Sequence, residues 1–504
     1  MKKNKLKKYI EILKENNLLL EENISEELKE KEINIVTYDS REVKENTLFI
    51  CKGSKFKIEY LENSLNVGAI AYVSENQYKI ENKPYIIVKD LRKVLAILAE
   101  LYTNYPQKQI NMIGLTGTKG KSTTSYYIKY ILDDYMKDLG KNKTAIISSI
   151  DTYDGKEQKE AVLTTPEPIE LFTHIRNAVD SNIDNLVMEV CSQALKADRV
   201  YDILYKYGAF LNISEDHIST IEHKDFEEYF ASKLKFFDQI ENAVINLNTD
   251  ELERVMEAAK KCKKIITFGN TEKADVYGYD IRKEGMNTVF KVKTKYFDEE
   301  ILLTMPGLFN VENALAAIAI TSDMGVPYKN IYNGLKMARA SGRMEVYTNK
   351  NSEVIVIVDY AHNKLSFQKL YESTIKEYPK REIVTVFGCP GNHALNRRKE
   401  LGELSGKYSD MNYLTMEDPR NEEVEDICKE ISIYVEKENG KYKIVPDRGQ
   451  AIKEAIFEAK PNTVILITGK GNETVQFVKG KYVPCETDVQ YAKKYLKELD
   501  ESKK

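Results

Sequence analysis

The run Gly114-Leu115-Thr116-Gly117-Thr118-Lys119-Gly120-Lys121-Ser122-Thr123-Thr124 places glycines, lysines and hydroxyls between an apolar segment, INMIG, and an amphipathic one, SYYIKYIL. Such a run can bind phosphate. Glycines let backbone N–H groups approach the oxygens, Lys121 neutralises charge, and Ser122 offers a magnesium ligand. The helix that follows contributes the positive end of its dipole. The usual eight-residue motif has glycine where Leu115 stands, so the match is to its tail, with Gly117 in addition. A tight glycine turn with a solvated lysine is the competing reading, and the strand-to-helix context argues against it.

A second group lies at the ends of apolar runs: Glu189 after NLVM, Asp216 and His217 after FLNISE, and Asp359 and His362 after VIVIV. Strand ends in open α/β sheets are where ligands sit. Singly, each is an ordinary polar loop residue. Together, behind a phosphate loop, they are candidates to hold Mg²⁺ or nucleotide. Lys233, in EEYFASKLKFFDQI, shares a helical face with Tyr229, Phe230, Phe236 and Phe237. Alone it reads as an ordinary helix lysine.

The elements that would carry these residues alternate. From Ile33 to Tyr102 short apolar runs end in a helical pattern, LRKVLAILAELYTNYP, stopped by Pro106. Strand and helix patterns then alternate to about Ala340, a doubly wound, mostly parallel signature. Within it, residues 272–304 read as short antiparallel strands inserted before the helix NVENALAAIAITSDM. After Gly342, the strand candidates VIVIVDY, EIVTVFGC, MNYLTME and TVILITGKG are separated by helical patterns, which reads as a Rossmann-like domain. The expected fold is α/β in three domains: a smaller one over 1–105, a central one over 106–340 and a last one over 341–504. No repeat with a period of about 20 to 50 residues is visible.

The 504 residues suit about three domains. With 42% hydrophobic, 31% charged and 10% aromatic residues, collagen-like, low-complexity and wholly disordered classes are excluded. Lys plus Arg total 75 against 79 Asp plus Glu, a net charge of -4 that argues against a nucleic-acid or anionic-lipid surface. The six cysteines are scattered, without a C-x-x-C pair, which fits a reducing compartment. MKKNKLKKYIEILKENN lacks a signal-peptide core, and no apolar stretch approaches membrane-spanning length. The expectation is a cytoplasmic enzyme or binding protein with no membrane insertion, and Lys2 to Lys8 read as a solvated helix face.

In order along the chain, YDSREVKENTLFICKG, TGTKGKSTT, LTTPEP, MEVCSQALKADRV, LNISEDHIS, GLFNVENALAA, GRMEVY, VDYAHN, EDPRNEE, DRGQAI and TGKGNE resemble the motifs of the Mur ligases. These are ATP-dependent amide-forming enzymes of peptidoglycan synthesis. The resemblance is strongest to the type that adds the third peptide residue to a UDP-N-acetylmuramoyl-dipeptide. It implies that ATP phosphorylates a carboxylate and that an incoming amine displaces phosphate from the acyl phosphate. It implies one Mg²⁺ at Ser122 and Glu189, and a second at His217 and Lys233. A cationic lysine cannot ligate Mg²⁺, and the matching family lysine is a carbamate formed with CO₂; Lys235 is the alternative position. By the same resemblance Gly117, Thr118, Lys119, Gly120, Lys121, Ser122 and Thr123 hold the phosphates, and Asn310 and Asn313 meet the adenine. Arg343, Asp359, Tyr360 and His362 reach ATP from the last domain. Ser40, with Arg41 and Gly53, matches the uridine-diphosphate site, while Thr164, Thr165, Cys191 and Arg199 match contacts to the muramoyl-dipeptide.

The incoming amino acid is matched by His393, Glu417, Asp418, Arg420, Gly469 and Glu473. Here the chain departs from the family pattern. Glu417-Asp418-Pro419-Arg420 stands for Asp-Asn-Pro-Arg, and Pro390-Gly391-Asn392-His393 for Gly-Gly-Asp-Arg. Cys191, Gln193 and Asn472 replace Ser, His and His. The donor is left open among meso-diaminopimelate, lysine, lanthionine and ornithine. Other acceptors, as in folylpolyglutamate or cyanophycin-like ligases, and a P-loop ATPase remain the alternatives. A monomer is expected.

Overall fold

The structure is a computed structural model and describes residues 3–53, 56–78, 80, 83–215, 218, 222–285, 287–392 and 394–502. Three large sheets follow one another along the chain, giving the three-domain α/β architecture, with a two-stranded ribbon, Val475–Val478 and Lys481–Pro484, after the third. The first has five strands within Leu19–Val88, closed by the helix Leu91–Tyr102. Its opening helix, Leu6–Glu15, buries Leu6, Tyr9, Ile10 and Leu13, and Lys5 and Lys7 pair with Glu30 on the solvent side, as the solvated-face reading expects.

The second sheet has eleven strands. At its centre Asn111–Thr116 lies parallel to Asn185–Glu189 on one side and Tyr205–Phe210 on the other. Helices on both faces bury all of this strand but its first residue, which is why its middle, Met112 to Leu115, has no polar residue and does not alternate. The antiparallel strands expected over 272–304 are Val276–Glu284, Asn287–Lys293 and Asp298–Leu303. They are an extension rather than a separate insertion: Val276 and Tyr277 pair in parallel with the preceding strand, so the sheet simply continues outward. At the opposite edge Asp151–Tyr153 and Gln158–Glu160 form a hairpin whose three-residue strands carry no apolar run in the sequence. The third sheet has Val354–Asp359, Thr463–Thr468, Glu382–Phe387 and Met411–Leu414 as parallel neighbours, all four at the places expected.

The first and second units meet at a buried carboxyl. Glu100, on the helix Leu91–Tyr102, is 3% exposed. Burial, and next the neighbouring Asp202, push its carboxyl up to about 7, while Lys108 and Gln107 act in the opposite direction. The folded chain therefore prefers the protonated acid. The stability this contributes is present near pH 4.5 and is lost as pH rises through about 7. Glu100→Gln stays neutral at every pH. It is expected to match the wild type near pH 4.5 and to exceed it by about 3 kcal/mol at pH 8 in urea unfolding. A parallel pH dependence in both proteins would remove Glu100 from this role.

Candidate active site

Each central strand delivers one polar group to the same edge. After Asn111–Thr116 the chain turns through Gly117–Gly120 into the helix Lys121–Asp138. Gly120 has φ +86, and a Cβ there would run into the Asn313 side chain, so glycine is required both for the turn and for the close approach. The Lys121 ammonium bends back over the loop and donates to the carbonyls of Gly117 at 2.8 Å and Thr118 at 3.3 Å. Asn212 locks the loop from the neighbouring strand end. Its Oδ1 accepts from Lys119 N–H at 2.8 Å, its Nδ2 donates to Lys119 O at 3.0 Å, and its carbonyl accepts from Thr118 N–H at 3.0 Å.

Glu189, 1% exposed, ends its strand opposite Leu115. Its Oε1 accepts from Ser149 N–H at 2.8 Å and from Ser149 Oγ at 3.2 Å. Ser149 also shares a 2.9 Å hydrogen bond with Ser122 Oγ. Ser122, Ser149 and Glu189 thus form one oxygen cluster beside the phosphate loop, a donor set that suits Mg²⁺. Lys233 is 1% exposed and donates to Gly117 O at 2.9 Å, with its ammonium 4.9 Å from the centre of the Tyr229 ring. Lys235, by contrast, is exposed. Tyr229 in turn bonds Thr118 Oγ1 at 3.0 Å. Asp216 and His217 lie outside the described residues.

The last unit faces this edge. The Arg343 guanidinium reaches within 3.5 Å of Ser122 Oγ and 3.4 Å of Ser149 Oγ and packs over the Tyr360 ring. A cavity between the two units is lined on one side by Lys119, Gly120, Thr123 and Asn313, and on the other by Arg343, Asp359 and His362. Asn310 stands behind it, accepting from Asn313 Nδ2 at 3.0 Å. Burial raises the Asp359 carboxyl above its ordinary range, against the pull of Arg343 and of the backbone N–H groups of Met344 and Ala361.

A second cleft runs on from Ser149 and Arg343 to Lys470, Asn472 and Glu473. Lys470, 3% exposed, pairs with Asp418 at 2.9 Å and with Glu473, which also accepts from Tyr360 OH at 2.6 Å. Glu417 is buried against Gly469, and burial lifts its carboxyl to about 7 while Arg397 and Arg448 oppose the shift. Arg420 lays its guanidinium over Phe477, with Nε buried and lacking a hydrogen-bond partner. Both Asp418 and Arg420 adopt positive φ, +43 and +54, a strain that side chains of this kind accept where a loop is shaped for a ligand. His393 lies outside the described residues.

On the other flank Thr165, fully buried, donates from Oγ1 to Glu189 O at 2.9 Å and accepts from Cys191 N–H at 3.1 Å. Arg199 donates to Thr165 O at 3.1 Å and pairs with Glu167, which also pairs with Lys52 of the first unit. Arg199, Glu167 and Lys52 border a cavity that Gly53, Phe56 and Arg92 also line. Thr164 is half-buried on the same segment, and Ser40 follows Tyr38, whose ring lies 4.5 Å from Lys52 Nζ. The sequence reading missed Ser149, Asn212, Tyr229 and Lys470 as site residues. Asn212 was visible only as part of LNISEDHIS, whereas Ser149 follows a three-residue strand and had no local signal.

Comparison with known proteins agrees with this layout. Residues 115–321 match the Mur ligase middle domain, and residues 342–471 the Mur ligase, glutamate ligase domain. The UDP-N-acetylmuramoyl-L-alanyl-D-glutamate--L-lysine ligase of Enterococcus faecalis is 35% identical over 481 residues, covering 94% of this chain and 93% of that protein. The corresponding 2,6-diaminopimelate ligase of Clostridioides difficile is 36% identical over 452 residues, with coverage of 89% and 92%. A solved structure of a UDP-N-acetylmuramoyl-L-alanyl-D-glutamate--2,6-diaminopimelate ligase superposes over 100% of both chains with a TM-score of 0.67 at 21% identity, a likeness of fold. The chain belongs to the Mur ligase family.

Proposed function

We propose that the chain joins an amino acid to UDP-N-acetylmuramoyl-L-alanyl-D-glutamate, at the expense of ATP, in peptidoglycan synthesis. The observation that carries this is the single edge at which the central and last units meet. There the phosphate loop, the oxygen cluster of Ser122 and Glu189, and the polar cleft ending at Glu473 lie side by side. Domain limits at 105/106 and 340/341 fall between the three sheets.

In this reading Gly117 to Thr123 cradle the ATP phosphates, and Lys121 and Arg343 offset the charge of the transferring phosphoryl group. Asn310, Asn313, Asp359 and His362 border the nucleoside. Ser40, Thr164, Thr165, Cys191 and Arg199 bind the UDP-muramoyl-dipeptide. Glu417, Asp418, Arg420, Gly469, Glu473 and His393 receive the amino acid. Ser122 and Glu189 would hold one Mg²⁺, and Lys233, as a carbamate with His217, a second; bound there, the metal neutralises phosphate charge. Phosphoryl transfer to the glutamyl carboxylate releases ADP. The amine then attacks the acyl carbon, gives up a proton, and phosphate leaves. The residues supply positioning and charge neutralisation, which account for most of the catalysis in such a sequence. A cytoplasmic location fits the six free cysteines, and no described helix is long and apolar enough to cross a membrane; a monomer is the expected state.

The test is phosphate release from ATP with the UDP-muramoyl-dipeptide, scanned across meso-diaminopimelate, lysine, lanthionine, ornithine and no amine. Release with one amine, and the mass of the UDP-linked tripeptide, are expected. Release independent of amine would replace this reading with an ATPase.

A further inference from the structure

One buried carboxylate joins the last unit to the central one outside the reacting edge. Glu377 ends the helix Lys364–Glu377, and its side chain is 1% exposed. It accepts from Lys283 Nζ at 2.6 Å, from Leu308 N–H at 2.9 Å and, more weakly, from Gly307 N–H at 3.4 Å. All three donors belong to the central unit. Ser373 Oγ, on its own helix, donates at 2.5 Å. A carboxylate withdrawn from water between two units is costly unless such partners are in place, so it holds the units in one arrangement.

Both ends of this contact run directly into the nucleotide cavity. On the central side, Leu308 is followed by Phe309, which lines the cavity and packs on the core of the last unit, and then by Asn310, which holds Asn313. On the other side the same helix begins at Asn363, whose side chain caps it in a reciprocal pair with Ser366. The preceding residue is His362, whose N–H donates to Ser366 Oγ at 3.2 Å. The helix is a rod of about 21 Å with the carboxylate at one end and His362 at the other. Fixing Glu377 on Leu308 therefore fixes both walls of the cavity at once.

We propose that Glu377, with Lys283, is a latch that holds the last unit closed over the nucleotide, and so is a positioning residue for ATP. It touches neither the phosphate loop nor either substrate cleft. This extends the proposed function and concerns the nucleotide half of the site alone, so its test uses ADP without acceptor or amine.

Glu377→Gln and Lys283→Met are each expected to weaken ADP binding about tenfold in titration calorimetry, the loss of a charge-assisted contact. Lys283→Arg, which keeps the cation, should stay within about twofold, and the affinity for the UDP-muramoyl-dipeptide should be unchanged in all three. Should Glu377→Gln fail to fold, the two Lys283 variants decide the matter. Equal ADP affinity in wild type and variants overturns the latch, even if the melting temperature falls. A parallel loss of affinity for the UDP-muramoyl-dipeptide also overturns it, since that reports general loosening. Absence of ADP binding in the wild type overturns the nucleotide reading itself.

Discussion

Lys121→Ala is expected to lower kcat/KM for ATP by at least about a thousandfold while leaving the melting temperature within about 2 °C of wild type. The ammonium is half-buried and sits 2.8 Å from the Gly117 carbonyl, inside the curve of the loop. Its bonds to the carbonyls of Gly117 and Thr118 curl it over the loop, where a phosphate oxygen can compete for it. Each charge-assisted hydrogen bond is worth about 1.5–3 kcal/mol, and more where charge develops in the transition state. Lys121→Arg should recover little, because the planar fork is wider than a point charge and Gly120 is already pressed against Asn313. Lys233, buried 2.9 Å from the same carbonyl, cannot take over the role while it serves its own side of the loop. Near-normal turnover in Lys121→Ala, measured as phosphate release, would remove the loop from the nucleotide site.

Why some of this was legible in the sequence and some was not follows from where each signal resides. The phosphate loop is local: strand, glycines, lysine and helix lie within about fifteen residues, and their order alone constrains the geometry. The parallel strands of the last unit are equally local, because burial on both faces demands uninterrupted runs such as VIVIV and TVILIT. Ser149 is different. Its meeting with Ser122 and Glu189 depends on Ala145–Ile147 pairing with Asn185–Glu189, a register that no window of sequence contains. Asn212 reaches Lys119 across 93 positions, and Glu377 reaches Leu308 across 69. The apolar pattern over 272–304 identifies these strands, but their place at the sheet edge rests on two pairings of Val276 and Tyr277. Family motifs supplied residue roles that spacing could not, as with Lys233, which spacing alone made an ordinary helix lysine. Burial and the contact with Gly117 give that lysine a physical reason to be singled out.

Arg420→Ala should raise the KM for the incoming amino acid about 10- to 100-fold and leave that for ATP within twofold, the ratio expected from losing a paired carboxylate contact. Three features set Arg420 apart from a surface arginine. Its backbone is held at φ +54 in a loop where Asp418 is also at +43, together an expense on the order of 2 kcal/mol. Its N–H is tied to Phe477 O at 2.8 Å, which fixes where the side chain starts. Its guanidinium packs on the Phe477 ring with Nε buried and no protein acceptor, although Asp418 is two residues away and bonded instead to Lys470. Lys470 pairs with Asp418, so on the proposed function the Arg420 guanidinium is expected to meet a carboxylate of the incoming amino acid. That carboxylate decides the donor. If it is the distal one of a diamino diacid, Arg420→Ala should penalise meso-diaminopimelate far more than lysine, and Arg420→Lys should not restore it, because a single ammonium lacks the two-pronged fit. Equal effects on both donors would instead place Arg420 at the carboxylate that they share. An equal rise in KM for ATP and for the amino acid would take Arg420 out of the amine site altogether.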